Sequence, residues 1–313
     1  GLTMAALIDW HAHHTAPELA ERIGRATGRT PRGDAQDSAN FAARVAEMDE
    51  AGIAVQLVSQ GAGLNGDRFS ADEAMEIARA SNDLIAERIE PYPDRLIGSI
   101  VVTFRDPEGS VAEIDRMAER GFRAVMMYAQ GSAVGQPESE PVFAKIAERG
   151  LPIFLHGGGG VGPRDTSLDT LEDGGQAVSA SAHADGAVSD FVVRTIAAGL
   201  FDRYPQLQLV IRSGGGGVPL LLSKLYQRHQ GPAGEQRYSD VLLEHYFVDT
   251  ASVRPHTLRF LIDQMGEERV VFGSDYCGGL GPLTRSRPVI DEQPEPERVM
   301  SFTERNSRRL LGL

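Results

Sequence analysis

Leu7-Ile8-Asp9-Trp10-His11-Ala12-His13-His14 is the stretch on which the reading of this chain turns. The apolar run 5–8 predicts a buried first strand, and His11 and His13 follow at its end. Residues two apart on a strand project to one side, so the two imidazoles are placed to converge on one ion. Neutral imidazole is a strong ligand for zinc and related divalent metals. The competing reading is a polar strand end with solvated histidines, and a lone H-x-H does not decide between them. The same stretch bears on the fold. An open, doubly wound sheet wants a glycine-rich phosphate turn after its first strand, whereas this chain has His-Ala-His-His there.

Outward from that stretch, short apolar runs at 55–58, 96–102, 124–127, 152–155, 207–211, 246–248 and 270–272 read as further strands. Helices are predicted over 41–51 with Gly52 ending it, 71–89 stopped by Pro91 and Pro93, 110–120, 141–149, 188–200, 218–226, 256–265 and 295–311. The polar, Gly-rich and Arg-rich segment 15–39 reads as a long connection. Eight strand–helix cycles predict a parallel sheet closed into a (β/α)8 TIM barrel of the α/β class. With no internal repeat, low-complexity tract or linker, residues 1–313 read as one domain.

Composition narrows the partners. Lys plus Arg is 31 and Asp plus Glu is 44, for a net charge of −13. An acidic chain without a basic block is a poor partner for nucleic acid or an anionic membrane, and an anionic substrate would need local positive charge. Cys277 is the one cysteine, which excludes an intrachain disulfide and suits a reducing cytoplasm. Neither a membrane-spanning run nor a signal-peptide pattern is read in the sequence.

In such barrels the active site lies at the C-terminal ends of the strands. His11 and His13 end the first predicted strand, His156 the fifth, Asp249 the seventh and Asp275 the eighth. Three nitrogens and a carboxylate around an ion, with a position open for water, is a catalytic arrangement rather than a structural one. The ion would activate a bound water or polarise a substrate oxygen. Asp275 reads as a ligand, as a base on that water, or as a cap on the Ser274-Asp275 turn. The glycines 157–160, starting at Gly157, and 214–217 read either as close backbone approach to a ligand or as tight turns. His14, beside the ligands, reads as a support for them or as a substrate contact. His183 falls in an Ala-rich and Ser-rich loop and reads as an acid/base or as a solvated histidine; His229, His245 and His256 read as structural.

These residues resemble the amidohydrolase superfamily, in particular the amidohydrolase-2 group of aminocarboxymuconate-semialdehyde decarboxylase and its relatives. The resemblance rests on I-D-W-H-A-H-H at the start, R-V-A-E-M-D-E-A-G-I at 44–53 and Y-P-D-R-L at 92–96. It continues through G-L-F-D-R-Y-P-Q-L-Q-L-V-I-R-S-G-G-G-G-V-P-L-L-L at 199–222, F-G-S-D-Y at 272–276 and N-S-R-R-L-L at 306–311. It implies that His11, His13, His156 and Asp275 hold one divalent cation, zinc first and manganese second. It also implies non-oxidative decarboxylation of a small unsaturated or aromatic carboxylic acid, with metal-dependent hydrolysis or hydration as the alternative. A homodimer is the assembly it suggests. The group's decarboxylases carry a catalytic histidine before the glycines that follow strand six; here Arg212-Ser213-Gly214 stands there, so Ser213 replaces it. Another base (His183, His14 or Asp275), a different reaction, or an inactive or trapped variant are the three readings of that departure. Ser213 then enters as a hydrogen-bonding contact, and Arg212 either offsets an anionic substrate or points away from the barrel.

Overall fold

Aliphatic and β-branched runs too short for helices form the strands. In the computed structural model, which describes residues 5–28, 40–129, 134–157, 175–228 and 237–313, these are β1 (Leu7–His14), β2 (Ile53–Gln60), β3 (Leu96–Val101), β4 (Ala124–Tyr128), β5 (Ile153–His156), β6 (Leu209–Ile211), β7 (Tyr246–Asp249) and β8 (Val270–Val271). All pair in parallel, in chain order. The seam closes beyond β8: Trp10 N–H donates to the Phe272 carbonyl at 2.9 Å and His13 N–H to the Tyr276 carbonyl at 2.8 Å. This is the (β/α)8 barrel that the alternation predicts.

Around it lie α2 (Phe41–Ala51), α3 (Ala71–Ile89), α4 (Pro107–Glu119), α5 (Glu140–Arg149), α8 (Val218–Arg228), α9 (Arg237–His245), α10 (Pro255–Met265) and α12 (Pro296–Leu311), with short α7 (Leu200–Arg203) and α11 (Pro288–Asp291). Local chemistry sets their ends. Ser70 and Glu73 form a capping box at α3, and Gly52 closes α2 in the left-handed region at φ 69°. Helix α4 begins ahead of the expected 110, because Asp106 accepts from Gly109 N–H and Pro107 takes the first turn.

Two segments expected to be loops contain helices. Within 15–39, α1 (Pro17–Thr27) buries Leu19, Ala20 and Ile23, and Gly28 closes it; residues 29–39 lie outside the described residues. Helix α6 (Gly175–Ala197) starts well before the expected 188 and carries His183. Ala184, Val188, Phe191, Val192 and Ile196 form its buried stripe. Burying that stripe outweighs the weak helix propensity of the surrounding glycine and serine. Among the described residues, no helix is long and apolar enough to cross a membrane.

The lumen is packed solid below the mouth by Trp10, Leu57, Met126, Phe154, Phe247 and Val271. One irregularity decides what stands above them. Asp9 pairs with Gln56 and Ala12 with Val58, so Trp10 and His11 together oppose Leu57. This β-bulge shifts the in–out alternation by one residue. Trp10 follows Ile8 into the lumen, and the extra residue brings His11 and His13 to the same side.

Candidate metal centre

His11, His13 and His156 meet at the C-terminal end of the barrel, each offering one ring nitrogen within 4.8 Å of the others. Their ring centroids are 4.9–5.2 Å apart and the planes stand at 85–89° to one another. His11 Nε2 lies 3.0 Å from His13 Nε2. Asp275 Oδ1 closes the group, 3.2 Å from His11 Nε2 and 3.3 Å from His13 Nε2. The residues expected at the ends of the first, fifth and eighth strands are thus brought together.

The other nitrogen of each ring is already engaged. His11 Nδ1 faces Asp249 Oδ2 at 2.8 Å, His13 Nδ1 faces the Gln60 carbonyl at 3.1 Å, and His156 Nδ1 faces the Gly157 carbonyl at 2.6 Å. All three partners accept hydrogen bonds, so Nδ1 carries the proton in each neutral ring and Nε2 keeps its lone pair. Three lone pairs and a carboxylate aimed at one point is an arrangement that a divalent cation satisfies.

Electrostatics favour His156 and Asp275 as donors, while His11 has to give up a proton to join them. Burial favours a neutral His11, but Asp249 and Asp275 outweigh it and push its pKa up to about 10. His156 is held well below the usual imidazole range by burial, then by the neighbouring His13, His11 and Arg212. Burial alone would raise Asp275, yet His11 and His13 hold it well below the ordinary carboxylate range. Charge separation is therefore built in, with a carboxylate already ionised beside the imidazoles.

Buried polar residues that the sequence reading passed over hold the ligands in place. Asp9 is fully buried and accepts from His11 N–H (3.1 Å), Gln56 Nε2 (2.8 Å), Ser274 N–H (2.9 Å) and Ser274 Oγ (2.6 Å). It thereby ties β1 and β2 to the turn carrying Asp275. Arg44 reaches from α2 to Gln56 Oε1 and the His13 carbonyl, between the rings of Phe41 and Tyr276. Asp249, expected at the end of a strand but given no role, orients His11 while its Oδ1 accepts from Ser213 and Ala251 N–H, each at 2.8 Å. Gln60 and Tyr128 are the last residues of β2 and β4 and share a 3.1 Å hydrogen bond. The strand-end rule that found His156 also finds Tyr128, which follows the run 124–127, but not Gln60, which lies two residues beyond the run 55–58.

Among the described residues, the non-glycine residues with φ in the left-handed region are Ser213 (50°), Ser252 (59°), Asp275 (56°) and Cys277 (59°). All follow β6, β7 or β8, at the mouth, where strained backbone is characteristic of functional turns. Gly214, Gly215 and Gly216 also have positive φ, at 70°, 83° and 57°, so their turn requires glycine.

The remaining expected site residues fall in different places. Arg212 is on the lumen side of β6, two residues after lumen-filling Val210; its Nη1 pairs with Asp185 Oδ1 of α6 at 3.1 Å. Ser213 follows it on the rim. The Arg212 Nε and the Ser213 Oγ are buried without a hydrogen-bond partner among the described residues. Gly157 has a packing reason: a Cβ there would lie 2.4 Å from the Ala184 Cβ. The glycines 158–160 lie outside the described residues. His14 points to the opposite face of β1 from His11 and His13, against Phe41 and the Arg88 guanidinium. His183 is exposed on α6 and is not brought into the cluster. His245 stacks on Phe201 and faces the Leu207 carbonyl, as a structural histidine does; His256 is exposed on α10 and His229 lies outside the described residues.

A family model described as amidohydrolase matches residues 8–313. Gamma-resorcylate decarboxylase of Rhodococcus jostii (strain RHA1) is 27% identical over 256 residues, covering 74% of this chain and 76% of its own length. Among solved structures, 5-carboxyvanillate decarboxylase from Sphingomonas paucimobilis matches with a TM-score of 0.83 at 23% identity, covering 99% of each chain. Dihydroxybenzoic acid decarboxylase from Polaromonas sp. JS666, solved with bound manganese and 2-nitroresorcinol, matches at 0.77 with 21% identity, covering 99% of this chain and 98% of its own. At those identities the structural likeness speaks for the fold.

Proposed function

The chain belongs to the amidohydrolase family, and on that premise we propose that it is a metal-dependent lyase that decarboxylates a small aromatic or unsaturated carboxylic acid without an oxidant. The observation that carries the reading is the hydrogen bonding of the three Nδ1 atoms, which leaves the three Nε2 atoms of His11, His13 and His156 free to hold one cation beside Asp275. The mixed imidazole and carboxylate set suits zinc, and manganese, bound in the Polaromonas decarboxylase, is the competitor. When bound, the ion supplies Lewis acidity, polarising a substrate oxygen next to the bond that breaks.

The chain's own residues do the rest. Breaking the carbon–carboxylate bond leaves an electron pair on carbon, and a proton must replace the departing carbon dioxide. Asp275, ionised at rest, is the group assigned to relay it: Oδ1 faces His11 and His13, and the second carboxylate oxygen would take a proton from solvent water and pass it to the substrate carbon. Asp249 keeps His11 in the tautomer that presents Nε2. Ser213 offers a hydrogen bond and no titratable proton, and for that reason hydration or hydrolysis is the runner-up. A single buried cysteine suits a reducing, cytoplasmic setting.

The test is a screen of aromatic and unsaturated acids with carbon dioxide detection, run alongside lactones and amides, on protein loaded with zinc or manganese. Ion-dependent carbon dioxide release that stops in Asp275→Asn supports the reading. Turnover of lactones or amides with no carbon dioxide from any acid overturns it.

A further inference from the structure

On the β5–β6 side of the mouth, two adjacent residues carry buried polar atoms with no hydrogen-bond partner among the described residues: the Arg212 Nε and the Ser213 Oγ. We propose that Arg212 and Ser213 form a carboxylate subsite, so that the substrate is a diacid whose second acidic group sits here while the reacting end faces the histidine cluster. This rests on the proposed metal-centred reaction for its orientation. A buried donor left unpaired is costly, and of the eight buried side-chain polar atoms without a partner among the described residues the Arg212 Nε is the one on a cation. A planar carboxylate matches a guanidinium N–H beside a hydroxyl.

Both residues are held rather than free to swing. The Arg212 Nη1 is tethered to Asp185 Oδ1 at 3.1 Å, which restrains the guanidinium. Arg212 stands close to His156, within 3.3 Å of where a Gly157 Cβ would be, so a larger residue at 157 would press on it. The Ser213 N–H is bonded to Asp249 at 2.8 Å, and Asp249 in turn to His11. A ligand touching this corner therefore lies against the same shell as the cation ligands. The net charge of −13 gives such a corner a purpose, since a second anionic group has little else to attract it. The alternative is that Arg212 and Asp185 only latch the β6 turn to α6.

Calorimetry with benzoate and the three benzene dicarboxylates as probes separates these. The expected result is that at least one dicarboxylate binds the zinc-loaded protein ten times or more tighter than benzoate. In Arg212→Gln that preference shrinks to within twofold, while zinc affinity, read separately by competition with a chromophoric chelator, stays the same. In Ser213→Ala the preference falls about threefold. Asp185→Asn keeps or increases it, because removing the counter-charge leaves Arg212 more positive. No preference for any dicarboxylate in the unmodified protein overturns the proposal, as does a preference that survives in Arg212→Gln. Parallel loss in Arg212→Gln and Asp185→Asn assigns the pair to the latch instead. A chain that takes up no zinc overturns the metal-centred reading separately, and the same probes on ion-free protein still read the subsite.

Discussion

The two sides of the barrel mouth are finished differently. Where β8, β1 and β2 meet, the Asp9 carboxylate takes four hydrogen bonds and Arg44 braces Gln56 and the His13 carbonyl, so His11, His13 and Asp275 have a rigid backing. Where β5 passes to β6, His156 is held by a carbonyl, but its neighbours Arg212 and Ser213 keep polar atoms in reserve. On the proposed reading the first side frames an ion and the second receives the substrate. Unpaired polar atoms do not make the difference, since Trp10, Ser59 and Gln60 on the first side also carry one each; the difference is that, among the described residues, a cationic side chain carries one only on the second. Preorganised ligands and available donors are different requirements.

The difference is open to attack from the frame side first. Asp275→Asn should cut turnover by about 10²–10⁴-fold, the usual range for a lost proton-transfer group, whereas His183→Ala, on the exposed face of α6, should only weaken it. Steady-state rates on the best acid from the screen measure both, and the reverse ranking would move the proton to His183. Asp9→Asn should destabilise the fold by about 2–3 kcal/mol, because its amide nitrogen sets a donor against the donors of Gln56 and Ser274; denaturant unfolding reads it. Asp249→Asn should lower zinc affinity by about 10–100-fold through the loosened His11 ring, measured by chelator competition.

A further expected effect is on pH. In ion-free protein His11 keeps its second proton up to about pH 10, because Asp249 and Asp275 outweigh burial. A cation at Nε2 must displace that proton, so zinc affinity should rise about tenfold per pH unit below that value. The stabilisation from the charged imidazole is complete below the ordinary value of 6.5 and is lost as pH rises through about 10. Ion-free protein should therefore melt lower across that window, and zinc-loaded protein should not follow it. Coincident melting curves would mean that His11 is not the group that titrates.

Much of this was legible in the sequence because strand ends are. Apolar runs marked the eight strands, and the polar residue after each run marked the mouth, which is how His156 and Asp275 were found. The bulge at Trp10 and His11 was not legible: nothing in the order of residues says that two of them will oppose Leu57. Without it, the alternation set by Ile8 would send His11 out of the lumen. His14 shows the converse, since adjacency in sequence put it on the far face of β1. Asp9 looked like part of a strand and proved to be the anchor of the Ser274–Asp275 turn, a contact spanning nearly the whole chain. Helix α6 was missed at its start because glycine and serine hide a stripe that only packing reveals.

Crystals soaked in zinc and measured on both sides of its absorption edge put the central claim to its most direct test. The account predicts one anomalous peak per chain, about 2.0–2.1 Å from the Nε2 atoms of His11, His13 and His156, with every Nδ1 still on its acceptor. No peak at the barrel mouth, or an ion bound through Nδ1 with the Asp249 contact broken, would contradict it.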